Sequence, residues 1–186
     1  MKDLEQNPWQ TLKVKEVYSN PWIQIQHHDV INPSGNNGIY GIVHFHNIAV
    51  GILPLDEDYN TWIVGQFRYA LNEYSWEIPE GGSLLKDNPL DSAKRELKEE
   101  AGIVASKWTK LMDFYTSNSV TNEYAVCYIA QGLSFEEAEP EETEDLILRK
   151  LPFQELYRMV MKGEIKDSLT VATVLKAKIW MDEGGI

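Results

Sequence analysis

At 186 residues, with 43% hydrophobic and 25% charged residues, the chain fits one well-cored soluble domain with room for a small appendage. A formal net charge of -12 excludes a surface built to neutralise a nucleic-acid backbone, which needs clustered Lys and Arg. Such acidity instead suits a site that recruits cations, so that a polyanionic ligand would bind through metal ions and a few placed basic groups.

The opening is β-rich. Strands are expected over Thr11 to Tyr18 and Trp22 to Ile31, with a turn at Pro33-Ser34-Gly35-Asn36-Asn37-Gly38 and a returning strand from Ile39 to Phe45. Further strands follow at Ile48 to Leu55, Thr61 to Arg68 and Tyr74 to Ile78. Asn88-Pro89 then supplies an N-cap and a first-turn proline, and Gly102 a stop, for a helix whose Leu90, Ala93, Leu97 and Ala101 form one apolar stripe. Beyond it come strands near Trp108 to Tyr115, Glu123 to Ala130 and Leu146 to Leu151. Two helices close the chain, one opened by Pro152 and ended by Gly163, the other capped by Asp167-Ser168. Mixed strands with few helices indicate an α+β fold in layers.

Cys127 is the only cysteine, so neither an intrachain disulfide nor a Cys-rich zinc module is available. The N-terminal MKDLEQNPWQ lacks the apolar core of a signal peptide, and no stretch approaches the ~18 apolar residues of a membrane span. A cytoplasmic protein with no membrane or nucleic-acid partner is expected.

The chemistry concentrates in Arg95-Glu96-Leu97-Lys98-Glu99-Glu100-Ala101-Gly102. Glu96, Glu99 and Glu100 stand three and four apart, which places three carboxylates on one side of the helix, pointing outward into a cleft while the apolar stripe packs inward. Their mutual repulsion is reversed by a hard divalent cation that prefers oxygen ligands. Gly81-Gly82 permits close approach, and the backbone carbonyl of Glu80 is a candidate further ligand.

From Gly81 to Ile103 the segment resembles the Nudix box: Gly, five residues, Glu, seven residues, Arg-Glu, an apolar residue, any residue, Glu-Glu, any residue, Gly, apolar. Gly81, Arg95, Glu96, Leu97, Glu99, Glu100, Gly102 and Ile103 fall in register, and Asp87 stands where the pattern has Glu. Gln66-Phe67-Arg68, Glu77-Ile78-Pro79-Glu80 and Glu142-Thr143-Glu144-Asp145 extend a looser likeness to the ADP-ribose pyrophosphatase and nucleoside-diphosphate-sugar hydrolase branch.

The resemblance implies a Nudix α/β/α sandwich over residues 41–186, preceded by an N-terminal β segment, 1–40, swapped across a homodimer. It implies Mg²⁺, with Mn²⁺ as an alternative, held by Glu80, Glu96, Glu99, Glu100 and Glu144. Glu142 is the implied general base, with Glu99 next in line, and Arg95 holds Glu99 in place. Arg68 either grips the diphosphate or makes a structural salt bridge, and Glu77 either contacts substrate or orients Arg68. Trp22 and Tyr40 are candidates for stacking on the nucleobase, the alternative being strand core or dimer interface.

The implied reaction is hydrolysis of a nucleotide sugar to a nucleoside monophosphate and a sugar phosphate. One departure bears on the substrate. ADP-ribose hydrolases of the family carry a proline about fifteen residues past the box, where this chain has Ser117-Asn118-Ser119, so UDP-glucose and GDP-mannose stay open beside ADP-ribose. A triphosphate housecleaning enzyme and a non-catalytic nucleotide-sugar sensor are the alternatives.

Overall fold

Alternation of apolar and polar residues from Gln10 onward becomes strands in the computed structural model, which describes residues 6–139 and 145–186. The chain divides into a first unit, up to Asn47 together with Ser117–Glu123, and a second formed by Ile48–Thr116 and the chain from Tyr124 onward.

The first unit is a three-stranded antiparallel sheet of β1 (Gln10–Ser19), β2 (Ile23–Ile31) and β3 (Asn37–Phe45), in that spatial order. Two asparagines set its turns. Asn20 Oδ1 accepts from the amides of Trp22 and Ile23, and Asn32 Oδ1 accepts from those of Ser34 and Asn36, with Gly35 in the left-handed region at φ 84°. Residues 117–123 lie along β3. The Val43 amide donates to Val120 O at 2.9 Å, the Phe45 amide to Asn122 Oδ1 at 2.7 Å, and the Tyr40 hydroxyl to the Ser119 carbonyl.

The second unit holds the remaining elements: β4 (Asn47–Pro54, entering from the last residue of the first unit), β5 (Asn60–Arg68), β6 (Glu73–Glu77), β7 (Glu80–Leu84), α1 (Pro89–Ala101), β8 (Ile103–Tyr115), β9 (Tyr124–Phe135), β10 (Ile147–Pro152), α2 (Phe153–Met161) and α3 (Ser168–Asp182). One sheet runs β7-β4-β9-β8 with β4 and β9 parallel, the other β10-β5-β6.

Because successive strand residues point to opposite faces, β4 and β9 feed two cores. Val50, Ile52, Val126 and Tyr128 pack with Ala93, Leu97 and Ala101 of α1. Leu53, Leu55 and Ile129 pack with Leu156 and Val160 of α2 and Val174 and Ala177 of α3. Helices therefore cover both faces of the sheets, and the expected α/β/α sandwich is present.

Helix α1 begins and ends as the sequence dictates. Asn88 Oδ1 accepts from the Leu90 amide, Pro89 occupies the first turn, and Gly102, at φ 62°, returns its amide to the Leu97 and Lys98 carbonyls. Strand β7 is an addition to the sequence reading, since Glu80-Gly81-Gly82-Ser83-Leu84 lacks the branched and aromatic residues that mark a strand. β8 also starts five residues before the expected Trp108, directly behind the Gly102 cap.

Candidate active site

The segment from Glu77 to Glu80 joins β6 to β7 and is fastened on several sides. The Ile52 amide of β4 donates to Pro79 O at 2.8 Å, the Ile78 amide donates to Thr170 Oγ1 of α3 at 2.9 Å, and the Glu80 amide donates to Glu100 Oε2 of α1 at 2.9 Å. Pro79 has no amide to place. The interior donors of this connection thus end on a helix hydroxyl and on one of the box carboxylates.

Arg68, the last residue of β5, turns its guanidinium onto this segment. Its Nε donates to both oxygens of Glu77 at 2.9 and 3.1 Å, and its Nη2 reaches Glu80 Oε1 at 2.6 Å. Glu77 is only 2% exposed, and its buried carboxyl oxygens are met by the guanidinium fork and by Gln66 Nε2 at 3.5 Å. Glu80 is less favourably placed. Burial pushes its carboxyl well above the usual carboxylate range, the anions of Asp167 and Glu77 push the same way, and Arg68 only partly opposes them. Glu80 Oε2 is buried with no hydrogen-bond partner among the described residues. Oxygens of Glu77, Glu80 and Asp167 lie within 4.8 Å of one another.

On α1, Arg95 holds two members of the carboxylate cluster. Its Nη2 donates to Glu96 Oε1 at 2.6 Å and to Gly82 O at 3.1 Å, and its Nη1 to Glu99 Oε2 at 2.6 Å. The expected Arg95–Glu99 pair is accompanied by Glu96, which the sequence reading did not assign to Arg95. Glu96 and Glu100 are buried rather than turned into an open cleft, because β7 lies over them. Gly81 makes that possible. A Cβ there would stand 2.2 Å from Glu96 Cδ, so only glycine leaves the carboxylate its place.

The site thus gathers Arg68, Glu77, Glu80 and Glu100 through one set of hydrogen bonds and Arg95, Glu96 and Glu99 through another, each set touching β7. Sequence reasoning missed two parts of it. The Glu80 side chain, valued only for its backbone carbonyl, is a second anchor of Arg68. Asp167, visible only as a helix cap, adds its carboxylate to those of Glu77 and Glu80. Trp22 and Tyr40 belong to the first unit. The Trp22 ring is 67% exposed, whereas Tyr40 packs edge-on against Trp9 with centroids 5.3 Å apart. Glu142 and Glu144 lie outside the described residues.

The donor set can be tested for a metal ion. It contains six carboxyl groups and two guanidinium groups, with no imidazole or thiolate, so acidic groups outnumber basic ones and the ligand atoms it offers are oxygen. A divalent cation with oxygen preference fits this, and the Gly81 cradle and the unpartnered Glu80 Oε2 agree with it.

A family model for the NUDIX domain matches residues 45–171, and one described as nucleoside diphosphate sugar hydrolase N-terminal domain matches residues 9–43. This chain belongs to the Nudix family. It is a hydrolase acting on phosphoric anhydrides, of the branch that includes ADP-ribose and nucleoside-diphosphate-sugar hydrolases. The ADP-ribose pyrophosphatase of Mycobacterium tuberculosis is 30% identical over 176 residues, 92% of this chain and 84% of that protein. The ADP-ribose pyrophosphatase of Bacillus subtilis is 31% identical over 94% of this chain and 93% of its own length. The crystal structure of an ADP compounds hydrolase superposes with a TM-score of 0.85 at 20% identity, covering 96% of this chain and 97% of its own, and shows the same fold.

Proposed function

We propose that this Nudix hydrolase cleaves the diphosphate linkage of a nucleoside diphosphate sugar, of the ADP-ribose, UDP-glucose or GDP-mannose type, to a nucleoside monophosphate and a sugar phosphate. The observation that carries the reading is the buried carboxylate network of α1, with Gly81 keeping Glu96 in place and Glu100 tied to the Glu80 amide. Glu96, Glu99, Glu100 and the Glu80 carbonyl would hold Mg²⁺ or Mn²⁺, with Glu144 as a further contact. A divalent ion held there would supply neutralisation of phosphate charge and activation of water.

The chain's own groups do the rest. Arg95 fixes Glu96 and Glu99, so their oxygens are placed before any ligand arrives. Glu77 and Glu80 fix the Arg68 guanidinium by Nε and Nη2. Nη1 has no hydrogen bond to a described residue and is the edge that meets a diphosphate oxygen. This favours orientation of Arg68 as the role of Glu77. Glu142 takes the proton of the attacking water. The exposed Trp22 ring is available to stack on the base, worth ~1–3 kcal/mol.

The active form is a homodimer built through the first unit. Strand β1 is an edge, exposed along its whole length, and carries Leu12, Val14, Val17 and Tyr18 on its surface; such an edge tends to be covered by another chain. We place the protein in the cytoplasm, where its single cysteine, buried with a thiol pushed up to about 11, stays reduced.

Product analysis over ADP-ribose, UDP-glucose, GDP-mannose and deoxynucleoside triphosphates tests the reaction. Sugar phosphate is the expected product, pyrophosphate would make the protein a triphosphate housecleaning enzyme, and tight binding without turnover would make it a sensor. A monomeric mass in solution at micromolar concentration would remove the dimer.

A further inference from the structure

Thr170 is assigned no part in the chemistry by the family motif, yet it reaches the site. It sits in the first turn of α3, where its amide donates to the capping Asp167 carboxylate at 2.6 Å. A threonine hydroxyl inside a helix commonly bonds back to a carbonyl one turn earlier, and in a first turn that helical carbonyl does not exist. The Thr170 hydroxyl is spent elsewhere: Oγ1 accepts from the Ile78 amide at 2.9 Å, with both residues fully buried. No solvent reaches that amide, so Thr170 is what satisfies it.

Ile78 is two residues before Glu80. With Pro79 lacking an amide, the Ile78 and Glu80 amides are the two donors that fix the connection between β6 and β7. One is held by α3 and the other by Glu100. We infer that Thr170 is a positioning residue for metal binding: from α3 it fixes the backbone of the Glu77–Glu80 segment, and thereby the Glu80 carbonyl and the Glu80–Glu100 hydrogen bond. The inference rests on the proposed metal site. Without the hydroxyl the segment keeps its tie to Ile52 and to Glu100, so the fold persists while the ligand geometry loosens.

The test measures Mn²⁺ binding directly, by electron paramagnetic resonance on full-length protein, beside thermal unfolding and hydrolysis. Thr170→Val matches the shape but removes the acceptor and is expected to raise the Mn²⁺ dissociation constant about 10-fold or more, the usual cost of losing a group that orients a ligand. Thr170→Ser restores the acceptor and is expected to return affinity to within about twofold. Val174→Ala, a core truncation in the same helix, is expected to lower the melting temperature while leaving Mn²⁺ affinity unchanged. Should Thr170→Val fail to accumulate as folded protein, Thr170→Ala, which likewise removes the side-chain acceptor, is judged by the same shift. Unchanged affinity in the folded Val or Ala variant overturns the inference, as does an equal loss in Val174→Ala or the absence of rescue by Ser. Wild-type protein whose Mn²⁺ affinity does not depend on Glu100, tested with Glu100→Gln, overturns the metal site itself and the inference with it.

Discussion

Replacing Gly81 by alanine sets a methyl carbon against the Glu96 carboxylate. The new Cβ would lie 2.2 Å from Cδ and 2.4 and 2.5 Å from the two oxygens, where ordinary contact begins at 3.4 Å, so the carboxylate must retreat by about 1.2 Å. What gives way is the end of a flexible side chain, not backbone. The overlap is therefore relieved at a cost near the low end of the ~1–3 kcal/mol typical of overpacking. Alanine also narrows the unfolded ensemble relative to glycine, which returns about 0.4–1 kcal/mol.

The net loss expected is about 0.5 kcal/mol or less, or roughly 0–2 °C in Tm for a chain of this length. The retreating atoms are the proposed metal ligand, and a displacement of ~1 Å at such a site costs on the order of 10²-fold in rate. Gly81→Ala should thus nearly keep its Tm and lose most of its hydrolysis, at saturating Mg²⁺, of whichever nucleotide sugar the wild type turns over. Activity within threefold of wild type would show that the Glu96 position is immaterial to the chemistry. A Tm lower by 10 °C or more would show that the carboxylate does not yield and that Gly81 serves the fold.

Excess EDTA should abolish turnover, and Glu100→Gln should lower it by about 10² or more while leaving the circular dichroism spectrum intact, because glutamine keeps an oxygen for the Glu80 amide. Glu142→Gln should reduce kcat by about 10²–10⁴ with little change in KM, and Glu141→Gln should be nearly silent; the reverse ranking would move the base by one residue. At Asp56, burial opposes ionisation, but hydrogen bonds from Asn60 and Lys150 outweigh it and lower the carboxyl from 3.8 to about 2. That contribution to stability is complete above pH 3.8 and lost as pH falls toward 2, so Asp56→Asn should flatten the acid dependence of the urea midpoint over this window.

The α1 helix was legible residue by residue, because caps, periodicity and carboxylate spacing are all local features of one segment. Asn88, Pro89, Gly102 and the Leu90–Ala101 stripe each act within a turn or two of their position. The burial of Glu96 and Glu100 was not legible, since it depends on β7, a strand whose Gly81 serves close approach to Glu96 of α1 rather than strand propensity. Arg95 with Glu99 follows from helical spacing. Arg68 with Glu77 and Glu80 follows from the register of two strands and a connection, which no spacing rule supplies. Asp167 and Thr170 lie further still from the box, some seventy residues along the chain, and their side chains read locally as a helix start.

The strip from Ser117 to Glu123 bears on how this protein can be cut and recombined. It belongs to the first unit although it lies between β8 and β9 of the second, so the chain leaves and re-enters the hydrolase body for seven residues. A gene trimmed to start at Ile48 would keep that strip while deleting β3, its backbone partner. Val120 O and the Asn122 side chain would lose the amides of Val43 and Phe45, and Ser119 O would lose the Tyr40 hydroxyl. The N-terminal sheet is thus not a removable module, and chimaeras that exchange it between relatives should carry the 117–123 strip from the same parent.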